Sequence, residues 1–383
     1  MATMSDRMPR ISAGQFATMI TAGYLGLGIF YFPRPLVEDA GRVGLYGLWL
    51  DGLAAFLLMK LIFAMGRLIP NETLSGFSAA LLSKPVSWLL ALYTIVYHLA
   101  LAISAVVLFS FVLGNIFLPS TPIWAISGAL TLTSAYMAYG GVLALARTLQ
   151  ASYIPLLVLT IFSVSMATLS IRHPSLLLPT TDVSLLPLVD GAYHQFVIFI
   201  GFQLSVTLYP FVKNGEQRQA ERYSVLALAG IVLALSLEYE VIMAVFGPDA
   251  IDRLRWPLAS TYRIISLSGF YISKLGTLLI VLWTIVIVAF VAVRLWCLAH
   301  DLSAMAPRRL SYELALGLMT LATILGTLPF PNAKVANLLN EHYLLPLGLA
   351  YLVLVPGTVM VVGKLRPQAT RQLRARHEPG PEV

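Results

Sequence analysis

Residues 23–35 read GYLGLGIFYFPRP, three glycines and two prolines inside or just after the first long apolar segment of the chain. A glycine costs about 1 kcal/mol against alanine in a helix interior. Gly23, Gly26 and Gly28 therefore weaken any helix that runs through them. Two readings are open. The glycines form a face on which another helix packs closely, or the helix is broken there on purpose.

Composition sets the surroundings of that stretch. Of 383 residues, 58% are hydrophobic and 11% are charged, and the mean hydropathy is +0.82. Soluble domains carry about 25% charged residues, so this chain lacks the polar surface to wrap a soluble core. Its apolar runs are long enough to cross a bilayer. The fold class predicted is an all-α polytopic membrane protein. The first run, Ile11 to Phe32, is long enough to span and lacks the small-residue cleavage site of a signal peptide. A single cysteine, Cys297, leaves no intrachain disulfide and no cysteine-cluster metal site. There is no HExxH, GxSxG or P-loop motif, so neither an enzymatic centre nor a cofactor is expected. The net charge of +7 sits largely in a tail beside the membrane, which gives no reason to expect a nucleic-acid partner.

Ten segments supply the roughly 20 apolar residues that a ~30 Å hydrocarbon slab needs: 11–33, 43–69, 86–117, 122–140, 147–171, 192–212, 221–247, 274–300, 311–329 and 342–363. Their linkers are short and carry turn chemistry, as in LPSTP at 118–122, GG at 140–141 and PFPN at 329–332. Residues 1–371 thus read as one transmembrane domain, with halves at about 11–171 and 192–363, followed by a basic, disordered cytoplasmic tail at 372–383. With the N-terminus inside, the cytoplasmic side holds fifteen Lys and Arg against eight outside. That bias and the even span count predict both termini in the cytoplasm. The tail itself reads as a juxtamembrane anchor for anionic lipid.

The opening stretch has a counterpart. Segment 192–212, AYHQFVIFIGFQLSVTLYPFV, has Gly201 at its centre and Pro210 near its far end. Interrupted spans in corresponding positions of two halves point to a substrate site in a transporter-like fold. A break frees backbone N–H and C=O groups that lipid cannot satisfy, and a half-helix N-terminus suits an anionic group. Close helix packing by small residues remains the alternative for Gly23, Gly26 and Gly28. The matching interruption in the sixth span favours the site.

At these residues the chain resembles a family. YLGLGIFYFPR at 24–34, LYPFVKNGEQRQAERYS at 208–224, WPLASTYRIISLSGFYISKLGTLLIVLW at 256–283 and LPFPNAKVANLLNEHYLLPLGL at 328–349 are similar, in this order, to motifs of the spore germination permeases. These are the B subunits of Ger-type nutrient germinant receptors, within the amino acid–polyamine–organocation superfamily. The resemblance implies a five-plus-five inverted repeat with broken helices 1 and 6. It also implies a germinant-sensing role in the spore inner membrane, beside a larger membrane A-type subunit and a lipoprotein C-type subunit. Members often carry a Glu-Arg pair ahead of span eight, where this chain has Ile272-Ser273-Lys274-Leu275; a contact through that acid is in doubt.

Charges at membrane depth are functional suspects. Lys60 and Arg294 can each snorkel toward the cytoplasm, whereas Glu238 and Glu240 lie seven to nine residues from the outer end of their span. A Lys60–Glu238 or Lys60–Glu240 pair is one arrangement, separate snorkelling the other. His98 and His194 read as ordinary hydrogen-bonded histidines rather than a proton relay. Span five, TLQASYIPLLVLTIFSVSMATLSI, has no lysine, where proton-coupled relatives of the resembled fold can carry one; this favours sensing over pumping. The expected function is a germinant sensor for a small nutrient, an amino acid on the resemblance, with an amino-acid transporter or permease of the same fold as the alternative. The backbone at Leu25, Gly26, Leu27 and Gly28 is expected to hold the ligand, Ile200, Gly201 and Phe202 to line the opposite side, and Tyr97 and Phe290 to form walls.

Overall fold

The computed structural model describes residues 9–26, 29, 31–68, 73–74, 81–177, 183–264, 275–306 and 309–370. Helix α1, Ala13–Leu25, opens with a capping box in which Ser12 Oγ accepts from the Gln15 N–H and the Gln15 side chain accepts from the Ser12 N–H. It ends at Leu25 with Gly26 as its cap, and the next helix among the described residues is α2, Arg34–Ala40, which follows Pro33. Among the described residues, the first apolar segment is helical over the 13 residues of α1. A 3₁₀ turn at Gly41–Val43 joins α2 to α3, Gly44–Leu68. There follow α4 (Lys84–Ile116), α5 (Ile123–Tyr139) and α6 (Gly141–Ala167). The GG expected to be linker is a cap followed by the first residue of α6: Gly140 ends α5, and Gly141, at φ 80°, already starts the next helix.

The second part of the chain begins with α7, Leu185–Gln195, which continues as a nine-residue 3₁₀ helix, Phe196–Leu204, then α8, Ser205–Leu208, and a 3₁₀ turn at Tyr209–Phe211. Beyond it lie α9 (Gln217–Phe246), the short α10 (Pro248–Arg253) and α11 (Pro257–Ile264), then α12 (Leu275–Met305) and α13 (Tyr312–Thr327). Last come α14 (Ala333–Leu339), a π-helical turn at Asn340–Leu344 and α15 (Leu345–Leu365). Among the described residues seven helical stretches are long and apolar enough to cross a membrane. Three of the ten expected segments are shorter: α1, the 17-residue α5 and the 16-residue α13. The only β contact among the described residues is an isolated bridge between Ile11 and Val212.

The bundle is organised around α12. In its most apolar window 78% of residues are buried, against 6% for α6. Helix α12 packs on α4, α5, α6, α13 and α1, while α1 lies between α9, α6 and the Phe196–Leu204 helix. Large apolar side chains elsewhere face outward, among them Trp49, Leu53 and Leu57 on α3, and Trp88 and Trp124 near the starts of α4 and α5. Such a surface is stable only against lipid, and tryptophans near helix ends suit the bilayer interface. The protein is a multi-pass integral membrane protein.

Candidate functional site

The site is built where the first and sixth spans cross. The Cβ that an alanine would add at Gly201 falls 1.8 Å from the Gly23 carbonyl oxygen, and one added at Gly23 falls 2.7 Å from that of Gly201. Backbone meets backbone, which only glycine on both sides allows. Gly23 and Gly201 thus serve the close-packing role, whereas Gly26 caps the broken end of α1 and lies against the side chain of Phe290 on α12. Close packing accounts for Gly23, and Gly26 stands where the helix ends.

The sixth span departs from expectation. It is not interrupted; it is overwound, so the backbone around Ile200, Gly201 and Phe202 is hydrogen-bonded within a 3₁₀ helix and not free for a ligand. At three residues per turn, side chains at i and i+3 eclipse one another, and runs this long are uncommon. Three straight edges result. Phe196, Phe199 and Phe202 form one edge, on which Tyr24 rests at 6.2 Å and 6.3 Å from the Phe199 and Phe202 ring centres. Ile198, Gly201 and Leu204 form the second, which carries the glycine crossing. Val197, Ile200 and Gln203 form the third.

That third edge runs inward from a cavity. Val197 lines an opening of about 420 Å³ together with Tyr31, Arg34, His194, Asn340 and Glu341. One turn deeper, Ile200 and the Tyr97 hydroxyl both crowd the backbone of Gly348 on α15. Tyr97 donates to the Leu344 carbonyl at 3.1 Å and stacks on Tyr351 with ring centres 5.6 Å apart. Another turn on lies Gln203, wholly buried, with neither end of its amide hydrogen-bonded. At the far end of the bundle the chain is tied shut. The Ile11 N–H donates to Phe211 at 2.8 Å, Lys213 N–H donates to Ile11 at 2.9 Å, and the Ala13 N–H donates to the Glu216 carboxylate at 2.7 Å. Arg67 adds an ion pair to Glu221 at 2.5 Å, and Tyr209 donates to the same carboxylate at 2.9 Å.

The expected site residues fall into this frame unevenly. Gly26 meets Phe290, and Tyr97 meets Ile200 around Gly348, all of them buried. Gly201 faces Gly23, and Phe202 faces Tyr24, away from Ile200. Leu25 is the last residue of α1; Leu27, Gly28, the Ile272–Lys274 stretch and the 372–383 tail lie outside the described residues.

The charged residues bring corrections. Lys60 is exposed on the lipid face, its ammonium 5.6 Å from the Phe56 ring centre, as a snorkelling residue should be. It makes no ion pair with Glu238 or Glu240; the ion pairs between described residues include Arg34–Glu38, Arg67–Glu221 and His194–Asp39. Glu238 does not reach the surface; it lines a cavity of about 410 Å³ among α1, α6 and α9. Arg294 does not snorkel either. It is 0% exposed, enclosed on the most buried helix, with its guanidinium 4.2 Å from the Phe290 ring centre and no hydrogen-bond partner at Nε or Nη1. Burying an unpaired charge costs on the order of several kcal/mol. His194 is an ordinary histidine, its Nδ1 2.8 Å from Asp39, but His98 is buried with neither ring nitrogen bonded. Asp301, buried and accepting from Thr207 at 3.2 Å, is a further buried acid, and sequence reasoning passed it over. The signal was there: Phe290, Arg294, Cys297 and Asp301 recur at helical spacing, so they share one face of α12. Among the described residues no three His, Cys, Asp or Glu side chains are grouped to hold a metal ion.

Comparison with known proteins speaks to family and fold. A family model described as spore germination protein, the spore permease family, matches residues 10–329. The chain is 21% identical to spore germination protein YndE of Bacillus subtilis, over 82% of this chain and 86% of that one. It is 22% identical to spore germination protein B2 of the same organism, over 70% and 73%. Among solved structures, a manganese transporter of Eremococcus coleocola superposes with a TM-score of 0.65 at 13% identity, covering 100% of this chain and 86% of that chain. A nucleobase-cation-symport-1 family transporter in a closed conformation gives 0.62 at 13% identity, covering 98% and 99%. At such identities the two structures speak for a shared transporter fold.

Proposed function

Because the chain belongs to the spore permease family of spore germination proteins, we propose that it is the nutrient-sensing membrane subunit of a spore germinant receptor. It sits in the spore inner membrane with both termini in the cytoplasm, beside a larger A-type membrane subunit and a C-type lipoprotein. Its ligand is a small nutrient, an amino acid on the family resemblance, bound where α1 ends against the Phe196–Leu204 helix. It catalyses no reaction. The observation that carries the reading is the cavity of about 420 Å³ lined by Val197, the outermost residue of the helix edge that continues inward with Ile200 and Gln203. Since the helix-six backbone is engaged, its share of ligand contacts comes from side chains on this edge, and the first span offers backbone where α1 ends, at Leu25 and Gly26.

Occupancy would act through the two elements that cross at Gly23 and Gly201, a junction without slack. A ligand that prefers one arrangement of that junction shifts the population toward it, and the partner subunits read the change. The test is deletion of the gene followed by nutrient-triggered germination of purified spores. Loss of response to one nutrient, with non-nutrient triggers intact, supports the reading and names the ligand. Gly26→Leu, expressed to normal membrane levels, should abolish that response; a fully responsive Gly26→Leu refutes the site.

The second reading is a working transporter, and the fold shared with two solved transporters favours it. Uptake of a nutrient by this subunit alone in proteoliposomes would decide for it.

A further inference from the structure

We propose that the ligand of the central site carries net negative charge, an organic acid or a dicarboxylic amino acid, and that its carboxylate pairs with Arg294. The proposal deepens the preceding reading and rests on it: a small molecule must occupy the centre of the bundle. Two independent features lead to it.

The first is Arg294 itself. Its side chain is fully enclosed, one face lies on the Phe290 ring, and Nε and Nη1 have no acceptor. The Phe290 ring in turn packs on Gly26 at the end of α1, so the guanidinium stands one side chain away from the helix break. The polar groups beside it are Tyr97, His98, Tyr351 and Cys297, none of them a carboxylate. The nearest acid on its own helix face is Asp301, two turns further on and engaged by Thr207. A buried cation persists when something compensates it, and no described side chain does. His98 and Gln203 add unused donors and acceptors in the same interior. Clusters of buried, unsatisfied polar groups mark places where a ligand or water completes the bonding.

The second is the outer cavity. Its lining holds Arg34, Arg253, Arg255 and Lys334 against two carboxylates, Glu38 and Glu341. Like charge lining a cleft focuses the field and raises the local concentration of the opposite ion. The mouth thus attracts an anion, and the interior holds the cation that would receive it.

The bookkeeping of charge selects a net anion over a neutral zwitterion. A monoanion cancels the Arg294 charge. A neutral zwitterion brings no net charge and leaves the positive charge of Arg294 in the interior, whereas an organic acid or a dicarboxylic amino acid brings the balancing negative charge.

The test is thermal unfolding of the full chain in lipid nanodiscs, with two- to six-carbon mono- and dicarboxylates, the twenty L-amino acids, L-alaninamide and glucose as probes. At least one net anion should raise the midpoint at millimolar concentration, while its zwitterionic and amide counterparts (alanine and alaninamide for lactate) should not. In Arg294→Met the same anion should need about 100-fold more to act, as for loss of a buried charge pair, and Arg294→Lys should keep part of the effect. Should Arg294→Met fail to fold, the comparison of anion, zwitterion and amide on the unaltered chain still decides. Stabilisation by glucose or by neutral zwitterions only would overturn the charge assignment and leave the nutrient-sensor reading standing. An anion acting equally on Arg294→Met would overturn the role of Arg294 alone. No stabilisation by any probe would overturn both.

Discussion

Replacing Gly201 by alanine should be the most disruptive single-methyl change at the centre of the bundle. The added Cβ would stand 1.8 Å from the Gly23 oxygen and 2.0 Å from its carbonyl carbon, with the Gly23 Cα at 2.8 Å. All three atoms are backbone, so no side-chain rotation relieves the clash, and the crossing helices must part by more than an ångström. Overpacking a dense core costs about 1–3 kcal/mol, and parting two backbones puts this case near the upper end. A helical glycine replaced by alanine gains up to about 1 kcal/mol of propensity, which leaves a net loss of about 2 kcal/mol. Gly23→Ala meets the same junction at 2.7 Å and should lose less. Gly317→Ala on α13, with nothing within 4 Å of its added Cβ, should be neutral or slightly stabilising. The assay is the apparent unfolding midpoint of the three variants in one detergent. The expected order is Gly201→Ala lowest, then Gly23→Ala, then the unaltered chain, with Gly317→Ala at or above it. A Gly201→Ala midpoint equal to that of the unaltered chain would refute the crossing geometry.

Lys60→Met should change stability by no more than about 0.5 kcal/mol, because its ammonium is exposed and makes no ion pair; equilibrium unfolding checks this. Glu221→Leu removes a nearly buried acceptor shared by Arg67 and Tyr209. As Arg67 is about half exposed, solvent screens its side of the pair, and the loss should be about 2 kcal/mol, with Glu221→Gln losing less because the Tyr209 bond can persist. Tyr239→Phe deletes the hydroxyl that donates to the Gly41 carbonyl between α2 and α3, which should cost about 1 kcal/mol; faster hydrogen exchange at the Gly41–Gly44 amides would show where that loss falls.

Hydropathy made the bundle legible because the bilayer imposes one requirement on every crossing helix: length and apolar composition. The segments expected at 86–117, 221–247 and 274–300 correspond to α4, α9 and α12 to within a few residues at most ends. Backbone winding was harder. The sixth span looked broken because it holds a central glycine, yet the same stretch places phenylalanines at 196, 199 and 202, a spacing of three that fits a 3₁₀ helix better than a break. Gly201 is there for the crossing, and its partner lies 178 positions earlier in the chain, a distance that no local pattern reports. The expected walls Tyr97 and Phe290 are both buried beside glycines of other helices, Gly348 and Gly26. They are expected as walls through the resemblance alone, since a tyrosine and a phenylalanine in apolar helices carry no signal of their own.

Lys60 and Arg294 show why the charged interior stayed hidden. Each lies about two to three turns from the end of a long apolar helix, so depth alone gives both the same escape route. What separates them is the face. Trp49, Leu53 and Leu57 are exposed at helical spacing on α3, and Lys60 continues that stripe into lipid. On α12 the exposed large residues are Val281 and Ile285, and from Val286 through Ala299 every residue but Val288 is buried. In a soluble protein, amphipathic contrast would announce which face is inside. In a membrane both faces are apolar, and the contrast vanishes. The surviving clue is polarity that repeats on one face, as Arg294, Cys297 and Asp301 do, because a lone snorkelling charge has no reason to be followed by a buried acid two turns on along the same stripe.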